Sequence, residues 1–277
     1  MPYKPLAVEA GHIHVCAHRG HSVGAPENTL TALVAAAERG ATVCEIDVVL
    51  SRDDEIVLVH DEILDRTTDG RGRVADYTLA ELRRLDAGSW FGPEFAGARI
   101  PTLREALATA RGCGMGLLVE IKERQRPDRL IDRLADLFAI EGWLDDVLLI
   151  SFDHPVLMRA QRRIAGLRTE LITHARHIDP AALATRAGAA SVAIEWDMFQ
   201  PDDARALHDA SIAVRLTIPR PQRLALRRQY GFDDQSRLAD YLTAGLVDVL
   251  AGDDTDAVAS LVREAMNRAG FAGGWLG

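Results

Sequence analysis

Two short runs in this chain carry charge where a folded interior would exclude it. Glu45 and Asp47 lie two residues apart in Val43-Cys44-Glu45-Ile46-Asp47-Val48, and Glu120 and Lys122 lie two apart in Leu117-Leu118-Val119-Glu120-Ile121-Lys122. Both runs are otherwise apolar, which reads as strand, and residues two apart on a strand leave the same face about 6.6 Å from one another. Cys44, Ile46 and Val48, with Leu117, Val119 and Ile121, then take the opposite, helix-facing side. Three carboxylates turned inward are strongly unfavourable unless paired or bound to metal, and Lys122 is the evident partner on these strands. The spacing therefore points to a divalent cation held by Glu45, Asp47 and Glu120. An all-oxygen donor set favours a hard ion, Mg²⁺ or Ca²⁺, without choosing between them. A salt-bridge network with Lys122 and Arg19 is the structural alternative.

His18 closes the run Cys16-Ala17-His18-Arg19-Gly20, and His60 ends the apolar run 56–59. Either histidine alone reads as structural as readily as functional. Both end strands that flank the proposed cation, however, and cleavage of a phosphate ester needs one group to take a proton and another to give one near neutral pH. His154 and His174 end strands farther along the chain and are candidate substrate contacts.

The elements that must position these side chains alternate along the sequence. Apolar runs at 13–18, 43–48, 116–122, 146–152, 167–173, 191–196, 212–218 and 246–251 read as strands. Helical periodicity covers 29–39, 103–111, 129–140, 156–164, 180–187, 202–210, 235–243 and 255–269. Eight strand-helix units predict an α/β chain folded as a (β/α)8 TIM barrel, one domain over 1–277. An open doubly wound sheet is disfavoured because no Gly-x-Gly-x-x-Gly follows the first strand. One segment, about 61–101, breaks the alternation. It is read as an insertion after strand two, which places it at the C-terminal face where barrel sites lie. Its Trp90, Phe91 and Phe95 either form a satellite core or reach substrate.

Composition bounds the partners. With 277 residues, 48% hydrophobic and 26% charged, the chain is long enough to bury a sizeable core. A net charge of −9 argues against generic binding to nucleic acid or anionic membrane. Cys16, Cys44 and Cys113 have no metal-ligand spacing and read as buried free thiols in a reducing compartment. No apolar leader follows Met1-Pro2-Tyr3-Lys4-Pro5 and no run suits a membrane span, so a cytoplasmic location is expected. Nothing in the sequence reads out an oligomeric state.

The motifs His18-Arg19-Gly20, Pro26-Glu27-Asn28-Thr29, Glu45-Ile46-Asp47-Val48, His60-Asp61 with Asp65-Arg66-Thr67-Thr68, and Glu120-Ile121-Lys122 occur in that order. They are joined by Leu85-Asp86-Ala87-Gly88-Ser89-Trp90-Phe91, Ile100-Pro101-Thr102-Leu103 and, more loosely, Ser151-Phe152-Asp153-His154-Pro155. Over roughly the first 155 residues the chain resembles the glycerophosphodiester phosphodiesterase family. The resemblance implies a (β/α)8 barrel with an insertion after strand two. It also implies hydrolysis of glycerophosphodiesters to glycerol 3-phosphate and an alcohol, with one divalent cation. It assigns Glu45, Asp47 and Glu120 to the metal, His18 and His60 to acid/base catalysis, and Arg19 and Lys122 to the phosphate. Three carboxylates against a divalent cation, Arg19 and Lys122 leave one positive charge, which matches the single negative charge of a phosphodiester.

The resemblance thins towards the C-terminus. Arg215-Leu216-Thr217-Ile218-Pro219 lacks a tryptophan the family commonly carries there, and Gly252-Asp253-Asp254 makes Asp253 only a loose match. Trp196, Phe91 and His154 are the candidate substrate wall. Arg220 to Arg228 reads as a solvated helix face or an anchor for a phosphorylated head group. Three other readings stay open: a barrel phosphodiesterase or lyase acting on lysophospholipid or sphingolipid, a non-catalytic phosphate-ligand barrel, and Lys122 as a Schiff-base amine.

Overall fold

The apolar runs form strands that close on themselves. In the computed structural model, which describes residues 3–268, the strands are β1 (His14–His18), β2 (Val43–Leu50), β3 (Ile56–Leu58), β4 (Gly116–Ile121), β5 (Val147–Ser151), β6 (Thr169–Thr173), β7 (Ser191–Glu195), β8 (Ala213–Thr217) and β9 (Val249–Gly252). Their order is β1-β9-β8-β7-β6-β5-β4-β2-β3, and a further β1–β2 pairing seals the ring. Eight strands are parallel, and β3 folds back antiparallel on β2. This is a (β/α)8 barrel, as expected.

The helices are α1 (Ala7–Ala10), α2 (Leu30–Glu38), α3 (Leu79–Leu82), α4 (Leu103–Gly112), α5 (Pro127–Glu141), α6 (His154–Arg163), α7 (Pro180–Ala187), α8 (Pro201–Asp209), α9 (Pro221–Gln229), α10 (Asp234–Thr243) and α11 (Thr255–Arg268). Their starts follow local chemistry. Thr102 caps α4 in a reciprocal box with Glu105, and proline opens the first turn of α5 to α9. Expected boundaries hold or shift by up to three residues, and the last residue of the helix expected over 255–269, Ala269, lies outside the described residues. The arginine-rich stretch after β8 forms α9, which buries none of its residues.

Two apolar layers follow from the period-two pattern. Cys44, Ile46, Val48, Leu117, Val119 and Ile121 pack outward among the helices. Cys16, Val43, Leu118, Leu148, Ile150 and Val249 fill the barrel interior, with Tyr3 among them. Gly116 is required beneath Tyr3, because a Cβ there would stand 2.8 Å from the tyrosine Cβ. The N-terminal floor is tied by polar bonds. His14 spans Lys4 O (2.7 Å) and the Thr42 hydroxyl (3.0 Å), while Asp248 accepts from Ala7 N (2.8 Å), Val214 N (2.7 Å) and the His208 ring (2.7 Å).

The segment between β2 and α4 has its own aliphatic core of Val49, Val57, Val59, Leu64, Val74, Leu82, Ala87 and Ile100. The expectation of an aromatic satellite core is corrected: Trp90, Phe91 and Phe95 stack edge to face at 5.6 and 5.4 Å, outside that core. Asp86 organises their loop instead, accepting from the amides of Gly88, Ser89 and Gly97. A second correction concerns the thiols. Cys16 and Cys44 are buried, but Cys113 is exposed, because it caps the solvent end of α4. Among the described residues no helix is long and apolar enough to cross a membrane.

Candidate active site

Strand register assembles the site. His18 on β1 lies opposite Glu45 on β2, and Asp47 on β2 lies opposite Glu120 on β4, so charged residues from three neighbouring strands meet at the C-terminal mouth. Glu45, Asp47 and Glu120 are 1%, 0% and 6% exposed, and each offers an oxygen within 4.8 Å of the others. Lys122 Nζ lies 2.6 Å from Glu120 Oε1 and 3.4 Å from Asp47 Oδ1. Even so, Glu45 Oε1 and Asp47 Oδ1 accept no hydrogen bond among the described residues. Burial, and then the charge of Asp47, push the Glu45 carboxyl up to about 8 and raise Glu120 as well. Buried oxygens that accept no hydrogen bond, on carboxyls that resist ionising together, fit a hard divalent cation better than a self-sufficient ion-pair network.

Backbone strain aims the carboxylates. Arg19 (φ 61°) and Asn28 (φ 57°) both adopt the left-handed conformation that non-glycine residues avoid. This turns Arg19 N onto Glu45, at 2.9 Å from its carbonyl and 3.1 Å from Oε2. The Arg19 guanidinium reaches Glu27 (3.0 Å) and Asp47 (3.3 Å). Asn28 clamps Asp47 twice, donating to its carboxylate at 2.8 Å and accepting from its amide at 3.0 Å.

Each imidazole is held by a carboxylate. His18 Nδ1 is 2.6 Å from Asp253 Oδ1, and His60 Nδ1 is 2.6 Å from Asp61 Oδ1. The carboxylates accept, so each Nδ1 donates and each Nε2 is turned away from the carboxylate that holds its ring, that of His18 standing 3.8 Å from Glu45 Oε2. Burial alone would lower the His18 pKa, but the bond to Asp253 and the charge of Glu45 outweigh it, and the net direction is up. Burial opposes ionisation of Asp253 too, yet His18 and Arg220 bring its pKa down to about 2.

One cavity of about 860 Å³ joins these groups to a far wall. His18, Arg19, Glu45, His60, Glu120 and Lys122 line one side; Phe152, His174, Glu195, Arg215 and Thr217 line the other. Phe152 stacks on His174 at 4.3 Å, and the His174 ring bonds Glu195. Arg215 is buried and paired with Glu170 at 2.7 Å.

The candidate wall residues lie elsewhere. Trp196 is 4% exposed and donates to Asp234 at 3.2 Å, because one residue past Glu195 the chain has turned to the opposite face. His154 is the first residue of α6 and bonds Ile172 O at 2.9 Å, leaving the wall to Phe152. Phe91 stays in its aromatic stack. Sequence reading missed the roles of Asn28, Asp61, Asp253 and Arg215. Asn28 and Asp61 stand inside quoted motifs, whereas Arg215 had only one signal, a charge in an apolar strand.

These features have counterparts in known proteins. A family model described as the glycerophosphoryl diester phosphodiesterase family matches residues 18–246. The Bacillus subtilis protein YhdW is 39% identical over 161 residues, 58% of this chain and 66% of that one, so the match spans just under two thirds of its length. A glycerophosphodiester phosphodiesterase of Caldanaerobacter subterraneus subsp. tengcongensis is 37% identical over 179 residues, covering 64% of this chain and 74% of that protein. Among solved structures, an Oleispira antarctica phosphodiesterase in complex with the product sn-glycerol-3-phosphate superposes with a TM-score of 0.79 at 30% identity, covering 92% of this chain and 98% of that one. With Glu45, Glu120 and both imidazoles lining one cavity, and the family model spanning the barrel from His18 to beyond β8, the chain belongs to the glycerophosphoryl diester phosphodiesterase family.

Proposed function

We propose that this chain, read as one barrel domain over 1–277 with its insertion at about 61–101, hydrolyses glycerophosphodiesters to glycerol 3-phosphate and an alcohol. One observation carries the reading: a buried three-carboxylate cluster, two of whose oxygens accept no hydrogen bond among the described residues, beside two imidazoles that line one cavity and are each held at Nδ1 by a carboxylate. The product bound to the Oleispira antarctica relative supports the substrate class.

Glu45, Asp47 and Glu120 would hold one divalent cation, Mg²⁺ or Ca²⁺, which when bound supplies Lewis-acid polarisation of a phosphoryl oxygen. The chain's own residues do the rest. Lys122 and Arg19 offset negative charge on the nonbridging oxygens. One imidazole takes the nucleophile's proton at Nε2, and the other gives a proton from Nε2 to the leaving alkoxide. The substrate's 2-hydroxyl and water are both nucleophiles this arrangement serves. A cyclic phosphate seen by ³¹P NMR during turnover identifies the first, and its absence in slow variants identifies the second.

The test is hydrolysis of glycerophosphocholine with Mg²⁺ or Ca²⁺, with and without chelator, beside a lysophospholipid. Turnover of the glycerophosphodiester that chelator abolishes is the expected result. No turnover of any glycerophosphodiester, or turnover indifferent to chelator, overturns the reading.

A further inference from the structure

The two imidazoles are held alike at Nδ1 and differently behind it. Asp61, which holds His60, accepts through its other oxygen from Arg66 Nε at 2.6 Å. Arg66 is itself locked by a two-pronged bond to Glu27 (2.7 and 2.8 Å), and Glu27 also receives Arg19. Asp253, which holds His18, accepts through its other oxygen from Arg220 Nε. The Arg220 side chain is 74% exposed, and Asp253 is its ion-pair partner among the described residues. Arg220 stands at the N-terminus of α9, a helix with no fully buried residue.

The geometry points to Asp253, held by Arg220, as the positioning residue for His18. Asp253 fixes the hydrogen on Nδ1 so that Nε2 exchanges the proton in the reaction, and Arg220 orients the carboxylate that does so. Histidine free in water prefers the opposite tautomer, with the hydrogen on Nε2, so an unheld His18 presents the wrong nitrogen form to the substrate. The Asp61–Arg66–Glu27 chain does the same for His60 from a more anchored segment. Turnover should therefore be more easily adjusted at His18 through the segment after β8. The inference rests on the proposed hydrolysis for its kinetic reading and not for its structural one.

The test uses the full chain with ¹⁵N-labelled histidine, with signals assigned through His18→Gln and His60→Gln. The wild type should show far-downfield Nδ1–H resonances for His18 and His60, which the two variants separate from that of His174, whose Nδ1 lies against Glu195. Asp253→Ala should remove the His18 resonance alone and move neutral His18 to the Nε2–H form. Its kcat on glycerophosphocholine should fall about 10²- to 10³-fold with KM within about threefold. Arg220→Gln should keep the resonance but displace it, with kcat down about three- to tenfold. An unchanged His18 tautomer or an unchanged kcat in Asp253→Ala overturns the assignment. If that variant does not fold, Arg220→Gln at its exposed position decides, and an unaltered resonance with unaltered kcat overturns it. A wild type that cleaves no glycerophosphodiester sinks the proposed function, while the tautomer measurement still decides how His18 is held.

Discussion

The mouth and the floor of this barrel are built from the same strands and treat polar groups in opposite ways. At the mouth, buried carboxylates crowd together, two of their oxygens accept no hydrogen bond among the described residues, and two residues hold strained backbone. At the floor, His14 and Asp248 bond at every turn, and Tyr3 fills the interior behind them. Both ends are buried, so burial alone does not separate them. The difference is satisfaction: the floor uses its polar groups to hold the chain, and the mouth leaves them available to a ligand.

The largest expected effect tests the mouth. Glu45→Gln should lower kcat/KM by at least about 10³-fold, roughly 4 kcal/mol, while the urea midpoint holds or rises because a repelled charge is gone. A clear loss of stability in that variant would break the contrast. On the floor, Asp248→Ala should cost about 3 kcal/mol in urea unfolding, since three donors lose their acceptor, with kcat/KM within about twofold. Saturating Mg²⁺ or Ca²⁺ at about 100 times Kd should stabilise the wild type by about 2.7 kcal/mol by calorimetry, and Glu45→Gln by much less.

Acid should act on the floor through His14, whose pKa burial and then the neighbouring His12 lower to about 4. Its folded value lies below its unfolded one, so the unfolded chain binds the proton first as pH falls. Stability from this group is full above about pH 6.5 and should drop by about 2 kcal/mol between about pH 7 and pH 5. His14→Gln should remove that part of the pH dependence in urea titrations. The smallest effect belongs to neither end. Breaking the exposed Arg163–Asp132 pair with Arg163→Ala should change stability by less than about 0.5 kcal/mol and leave activity alone.

What the sequence disclosed follows the same division. Glu45, Asp47, Glu120 and Lys122 were legible because charge inside an apolar strand has few explanations, and the barrel was legible from its alternation. Asp253 was hard to see because its meaning depends on a partner at the other end of the chain. Trp196 and His154 misled because a strand's last inward residue cannot be fixed to within one position before the turn is known. A shift of one residue exchanges Trp196 for Glu195. The insertion misled in another way, since aliphatic side chains spread along the segment and on the strands before it supply its core, and the aromatics were only the conspicuous ones.

The bond between His18 and Asp253 spans 235 residues of sequence, across the pairing of the first strand, β1, with the last, β9. Time therefore enters the chemistry. The three carboxylates and His60 all lie before residue 121, so that part of the site is already encoded when the first half of the chain has been made. His18 waits for the final strand. A nascent or partly opened barrel would carry the acidic cluster with one imidazole unheld, and turnover would report that the ring has shut.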